Sequence, residues 1–228
     1  MAAQWLCIRI PQLALEVFTR SDSEEQPLAV GDDARPASIL FCNAPARRRG
    51  VCSGMPVAAA RALAHDLNVC SRNLQAEADA LHSLAAWAYQ FSSQVSLYPP
   101  FALLLEVRRS LTLFGGYTAL LGRIRAGLRE LGYQTRMAAA PTPLAAVGLA
   151  CCESEQHVET PAALLGALAP LPLSVLDWEQ SLLDRLHGVG VQRLGDLLCL
   201  PHHIIPCCRG LKPVLIEQVL PVEEHPAV

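Results

Sequence analysis

The chain has 228 residues, 52% of them hydrophobic and 17% charged, with a formal net charge of −3. That composition supplies a sizeable core for one large domain, or a domain plus a smaller one, and excludes disorder. The charge excludes a strong nucleic-acid field from the chain as a whole, and no run of about 18 apolar residues is present to span a membrane.

The N-terminus, MAAQWLCIRIPQ, has no basic leader and no long apolar run, so no signal peptide is expected and a cytoplasmic protein is. Cys7, Cys42, Cys52 and Cys70 are singletons. Cys151-Cys152 and Cys207-Cys208 are adjacent, not spaced as a metal knuckle requires. Reduced, packed thiols are expected.

Gln4–Ile10 alternates as a first strand ended by Pro11, and Leu13–Phe18 opens a short helix, with Ser21–Gln26 a polar loop. Pro27–Gly31 and Ser38–Cys42 read as two more strands. Arg47-Arg48-Arg49-Gly50 reads as a basic turn and Val57–Ala64 as a helix with Pro56 at its first position. Asn73 is placed to cap a long helix ending near Phe91. Its inward face is Leu74, Ala78, Leu81, Ala85 and Ala88, while Glu77, Asp79 and His82 turn outward.

Val95–Tyr98 and Ala102–Val107 form a hairpin joined by Pro99-Pro100, whose fixed φ and missing amide donors suit a connection. Gly115-Gly116 closes the hairpin and opens an amphipathic helix, Tyr117–Leu131, stopped by Gly132. Thr135–Ala139 is a strand and Thr142–Cys152 another helix. This order predicts an α+β fold: a ferredoxin-like β-α-β layer with helices on one face of a mixed sheet, and Pro27–Val69 inserted as a subdomain. Composition shifts near His157–Pro172, where a small helical unit begins.

In that unit, Leu182–Leu200 places two short helices around Gly188-Val189-Gly190, a helix-hairpin-helix pattern whose exposed amides can approach a DNA phosphate, with Arg193 alongside. From Pro161 onward there are four Lys/Arg against seven Asp/Glu, so such a contact is weak and salt-sensitive; a purely structural hairpin is the alternative. A metal-dependent phosphoryl-transfer site needs carboxylates converging from neighbouring strands. The first strand offers Arg9 and no acid, and the central hairpin only Glu106. Arg47–Arg49 could meet phosphates or be a solvated turn. His202-His203 reads as loop, Cys52 has no identifiable base beside it, and Gln12–Leu15, like part of a sliding-clamp peptide, begins a packed helix.

Together these segments resemble the palm, fingers and thumb of a Y-family (translesion) DNA polymerase, and within it the catalytically inactive, ImuB-like members. The carriers are PLAVGD at Pro27–Asp32, ARRRGVCSGMPVAAARAL at Ala46–Leu63, LLLEV…SLTLFGG at Leu103–Gly116, AAAPTPLAAVGLA at Ala138–Ala150 and LHGVGVQRLGDLLCLP at Leu186–Pro201. The resemblance implies a palm over residues 1–26 and 70–160, fingers over 27–69 and an all-α thumb over 161–228, with the little finger and tail of the family lying beyond this chain.

It also implies where the chemistry should sit. The first-strand metal-binding aspartate falls on Arg9, and the loop supplying the other two acids on Pro99–Ala102, so those acids become Phe101 and Ala102. Of the Tyr-x-x-Arg grip on nucleotide, the tyrosine position is Ala44 and only Arg47 remains; the triphosphate lysine falls on Pro143. The expectation is no catalytic residue, metal or cofactor, and a scaffold in damage-induced mutagenesis that contacts primer-template DNA weakly. The family's partners are a sliding clamp, a RecA-like protein and an error-prone C-family polymerase. The rival expectations are an active polymerase using Glu106 and Glu16, and an interaction module without DNA affinity.

Overall fold

The structure is a computed structural model that describes residues 3–19, 26–152, 156–175 and 179–199. The expected Ser21–Gln26 loop falls mostly outside them, and His202-His203 and Cys207-Cys208 wholly so. Two sheets organise the chain. The larger has the order β5-β6-β1-β7-β8, from β5 (Val95–Tyr98), β6 (Ala102–Glu106), β1 (Trp5–Arg9), β7 (Arg136–Ala140) and β8 (Gln156–His157). β1 lies antiparallel to both β6 and β7, with Cys7 in register with Leu104 and Ala138; β8 adds parallel to β7. Without β8 this is the ferredoxin-like order the sequence predicts.

Alternation along these strands divides their side chains between two faces. Leu6, Ile8, Leu103, Leu105, Met137 and Ala139 face α4 (Leu74–Ala88) and α6 (Tyr117–Glu130), which contribute Leu81, Leu84, Ile124 and Leu128. Cys7, Ala102, Leu104, Ala138 and Ala140 face the other way, onto α7 (Pro143–Ala150). Helices therefore cover both faces, not one as the sequence reading expects. Residues 145–150 are all buried, so α7 carries no polar stripe to reveal which way it faces. The small side chains of Ala102, Ala138 and Ala140 let it lie close to the sheet.

The long helix also turns differently from expectation. Leu74 is 64% exposed at its first turn, whereas Glu77, expected outward, is 3% exposed and held by both nitrogens of the Arg72 fork at 2.8 Å. Asn73 caps as predicted, accepting from the Ala76 amide at 3.0 Å. Where α4 crosses α6, a Cβ on Gly127 would come 2.5 Å from Trp87 Cζ2, so only glycine permits the approach.

An unexpected helix, α5 (Ser110–Phe114), precedes the glycine pair. Gly115 ends it at φ +80° and Gly116 starts α6 at φ +103°, conformations that L side chains resist.

The smaller sheet, order β3-β2-β4, is formed by β2 (Leu28–Gly31), β3 (Ile39–Cys42) and β4 (Asn68–Ser71). β4 is missing from the sequence reading because its four residues end in Asn and Ser and carry no clear alternation. Its parallel pairing with β2 carries this sheet to Ser71, past the expected edge of the insertion at residue 69. Arg47 and Arg48 are helical, within α2 (Ala44–Arg48). Asn43 Oδ1 accepts from the amides of Ala46 and Leu28, and Pro45 sits in the first turn. Pro56 is the N-cap of α3 (Val57–Leu63), one residue before the expected position.

Beyond β8 lie α8 (Pro161–Leu168), a 3-10 turn at Leu173–Val175, α9 (Gln180–Gly188) and α10 (Leu194–Cys199). Leu164, Leu168, Leu183, Leu186 and Leu194 of these helices join the core on the α7 side of the sheet.

Candidate functional site

The site is built at the outer end of β1. In the antiparallel ladders Arg9 stands opposite Ala102 on one side and opposite Arg136 on the other. Residues directly opposite share a face, with Cβ atoms about 4.5–5.5 Å apart. The face is that of Cys7 and α7, and both arginines are half-buried. Arg136 Nη1 donates to the Cys151 carbonyl at 3.3 Å, at the C-terminal end of α7, where a cation also complements the helix dipole. Burial, then Cys151, pushes the Cys7 thiol up to about 12, with Arg9 opposing; burial likewise raises Cys152 against Arg136. These thiols are therefore protonated at neutral pH and add no negative charge beside the guanidiniums.

Phe101, the position before Ala102, is a packing residue. Its ring meets Phe41 of β3 edge-on at 6.3 Å, and the Arg72 guanidinium lies 5.7 Å from the Phe41 centroid and 5.8 Å from that of Phe101. Glu77 fixes Arg72 from the other side. This cation, in reach of both rings, ties the smaller sheet to the larger one.

The remaining expected residues are spread out. Arg47 is exposed and lines a cleft of about 130 Å³ with Gln12, Glu16, Asn43, Gly132 and Gln134. Glu16 is buried in α1 (Leu13–Thr19), and its Oε1 accepts from the Gln134 amide at 2.8 Å. Glu106 is at the opposite end of the ladder from Arg9, paired with Trp5, and accepts from the amides of Gln4 and Arg108. The two carboxylates of the enzyme alternative thus hold backbone amides at separate places. Arg49 pairs with Asp66.

A pair of divalent cations, which the resemblance would place at the β1 end, requires oxygen ligands. Among the described residues the side chains there are Arg9, Tyr98, Phe101, Ala102 and Arg136, which do not fit such ions. Among the described residues no group of three His, Cys, Asp or Glu is placed to hold a metal.

At the other end of the chain the Gly188-Val189-Gly190 turn is exposed, with Gly190 at φ +84°. Its amides are spent internally: those of Val189 and Val191 donate to the Leu186 carbonyl and that of Gly190 to His187. The next two, Gln192 and Arg193, donate to Asp196 Oδ2 at 3.1 and 3.0 Å, and these bonds lower the Asp196 pKa. A phosphate approaching these amides meets bonds already made, and a carboxylate at the last two. The amides on which the sequence expectation rests are thus already hydrogen-bonded, while the Arg193 side chain is exposed.

Sequence reasoning missed Arg136, Asp196 and the Arg72–Glu77 pair. Arg136 had a signal: a cation beginning an otherwise alanine-rich strand. Its register against Arg9 had none.

With this geometry in view, the family model described as the impB/mucB/samB family matches residues 13–149. Protein ImuB of Caulobacter vibrioides (strain NA1000 / CB15N) is 30% identical over 172 residues, which cover 75% of this chain and 38% of that protein. The chain thus spans well under half the length of the curated relatives it matches. Among solved structures, DinB from Sulfolobus solfataricus superposes with a TM-score of 0.66 at 17% identity, over 93% of this chain and 64% of that one. An insertion ternary complex of Dbh DNA polymerase gives 0.66 at 17%, over 95% and 63%. At such identities the likeness is one of fold.

Proposed function

From the premise that this chain belongs to the impB/mucB/samB family, we propose that it is a non-catalytic polymerase homologue that binds DNA and organises other proteins in damage-induced mutagenesis. The observation that carries this reading is Arg9 standing between Ala102 and Arg136 at the end of β1. In the alignment by resemblance, Arg9, Phe101 and Ala102 take the places of the metal-binding acids. Phosphoryl transfer depends on metal ions to neutralise charge developing on the phosphates, an effect worth several kcal/mol. Guanidiniums at that spot repel metal ions, so the polymerase reaction has no support there. The same cations favour a nucleic-acid backbone.

We assign the larger sheet and its helices to a palm, residues 27–71 to fingers and the helices from residue 161 to a thumb, with Arg47 a phosphate-contacting remnant in the fingers. Within the thumb, Arg193 is the DNA contact and Gly188, Val189 and Gly190 shape the turn that presents it. DNA is the partner this chain would meet directly. The sliding clamp, the RecA-like protein and the error-prone polymerase belong to the reading of the longer protein.

Binding to a labelled primer-template across salt concentrations tests the DNA role. Affinity measurable near 50 mM salt that falls steeply by 200 mM is the expected result, because phosphate contacts release counterions. No binding at the lower salt would leave the interaction-module alternative.

A further inference from the structure

We propose that Arg9 and Arg136 together form an anion site that holds one backbone phosphate of the bound nucleic acid directly, side chain to phosphate, with no metal between. The proposal deepens the DNA-binding reading above and rests on it for the identity of the ligand.

Five features of the β1 end point to an external anion. Arg9 and Arg136 are register partners on adjacent antiparallel strands, and like charges placed so disfavour the fold unless something neutralises them. Among the described residues neither is in an ion pair, and the Arg9 side chain makes no hydrogen bond. One nitrogen of Arg136 is used on the Cys151 carbonyl, which fixes that guanidinium at the end of α7 and leaves its other donors available. The remaining neighbours among the described residues are Ala102, which is too short to block access, Tyr98 in register beyond it, and the Cys7 and Cys152 thiols, which carry no charge. Both residues are half-buried, and attraction to an anion is screened less there than on an open surface.

The geometry favours phosphate among anions. Guanidiniums placed on one face of neighbouring strands can share the two non-bridging oxygens of a phosphodiester, an oxyanion for which the planar fork is well shaped. The sequence also sets a competitor: Glu153 and Glu155 follow Cys152 and lie outside the described residues.

The test is fluorescence anisotropy of a primer-template on the full chain, from 50 to 200 mM salt, for wild type, R9A, R136A and the double variant, with R129A on the outer side of α6 as control. The expected result is a loss of about tenfold for the double variant and a salt-dependence slope reduced by about 1, the signature of one lost phosphate contact. R129A should match wild type. R9A should hold or raise the melting temperature, since it removes a repulsion. Wild-type-like affinity and slope in the double variant would overturn the site while leaving DNA binding intact. So would a fall in melting temperature on R9A with affinity unchanged, which means internal pairing with Glu153 or Glu155. If wild type binds no DNA, inorganic pyrophosphate decides: a rise in its melting temperature that the double variant lacks keeps the anion site, and no rise ends it.

Discussion

The two faces of the five-stranded sheet are made from different materials. One buries Leu6, Ile8, Leu103, Leu105 and Met137, with Ala139 the one small residue, against two long helices; the other presents Cys7, Ala102, Ala138 and Ala140, with Leu104 the one large core residue, to a short, alanine-rich α7. Bulky side chains fill space between well-separated layers, whereas small ones bring a helix backbone close. The first face is scaffold. The second ends in the two arginines and, by the resemblance, is the face that carries catalysis in active polymerases. Selection for packing and selection for chemistry act on alternate residues of the same strands, so the chain can keep one and lack the other.

Truncation and overpacking should separate the faces. Leu103→Ala on the scaffold face removes a fully buried side chain and should cost about 2–5 kcal/mol in urea unfolding. Ala138→Leu on the α7 face should cost about 1–3 kcal/mol through overpacking. Equal tolerance of Leu at Ala138 and at an exposed position would mean that α7 does not sit close.

A comparable effect should follow where α4 meets α6. Gly127→Ala forces Trp87 to move and should cost about 1–3 kcal/mol by the same measurement. Arg72→Ala leaves Glu77 buried without its partner, and should cost about 1–3 kcal/mol, reduced when Glu77 is also replaced by Gln. A double-mutant cycle without coupling would show that Glu77 does not hold Arg72 in place.

Smaller effects should appear with pH. Burial lowers the His157 pKa below 6.5, with Glu159 opposing, while its ring stacks on Tyr117 at 3.7 Å. The unfolded chain then binds more protons than the folded one just below pH 6.5, so stability should fall as pH drops through that window. His157→Gln should flatten this part of the pH profile of the melting temperature. At the thumb turn, the depressed Asp196 pKa gives stability present above about pH 3.8 and lost as pH falls further. Asp196→Asn should remove that dependence, and this is the smallest change expected.

Much of the fold was legible because periodicity and punctuation coincide. The Ala102–Glu106 run, the Asn73 cap and the Gly115-Gly116 break each gave one reading, and each element is there. α7 was found as a helix but its side was not, since a helix apolar all round shows no preferred face. β4 and α2 were too short to show a period. The site was legible only as a set of substitutions at expected positions. That Arg9 faces Arg136, that Arg72 lies over Phe101, and that Asp196 already holds two turn amides depend on register and long-range packing, which local sequence does not encode.

The central claim is that the β1 end binds phosphate without doing phosphoryl transfer. Primer extension with all four nucleotides, in magnesium and then in manganese, tests it most directly. Wild type should give no template-directed extension under either metal. Extension that is abolished by Glu106→Ala or Glu16→Ala would contradict it and show an active polymerase with displaced carboxylates.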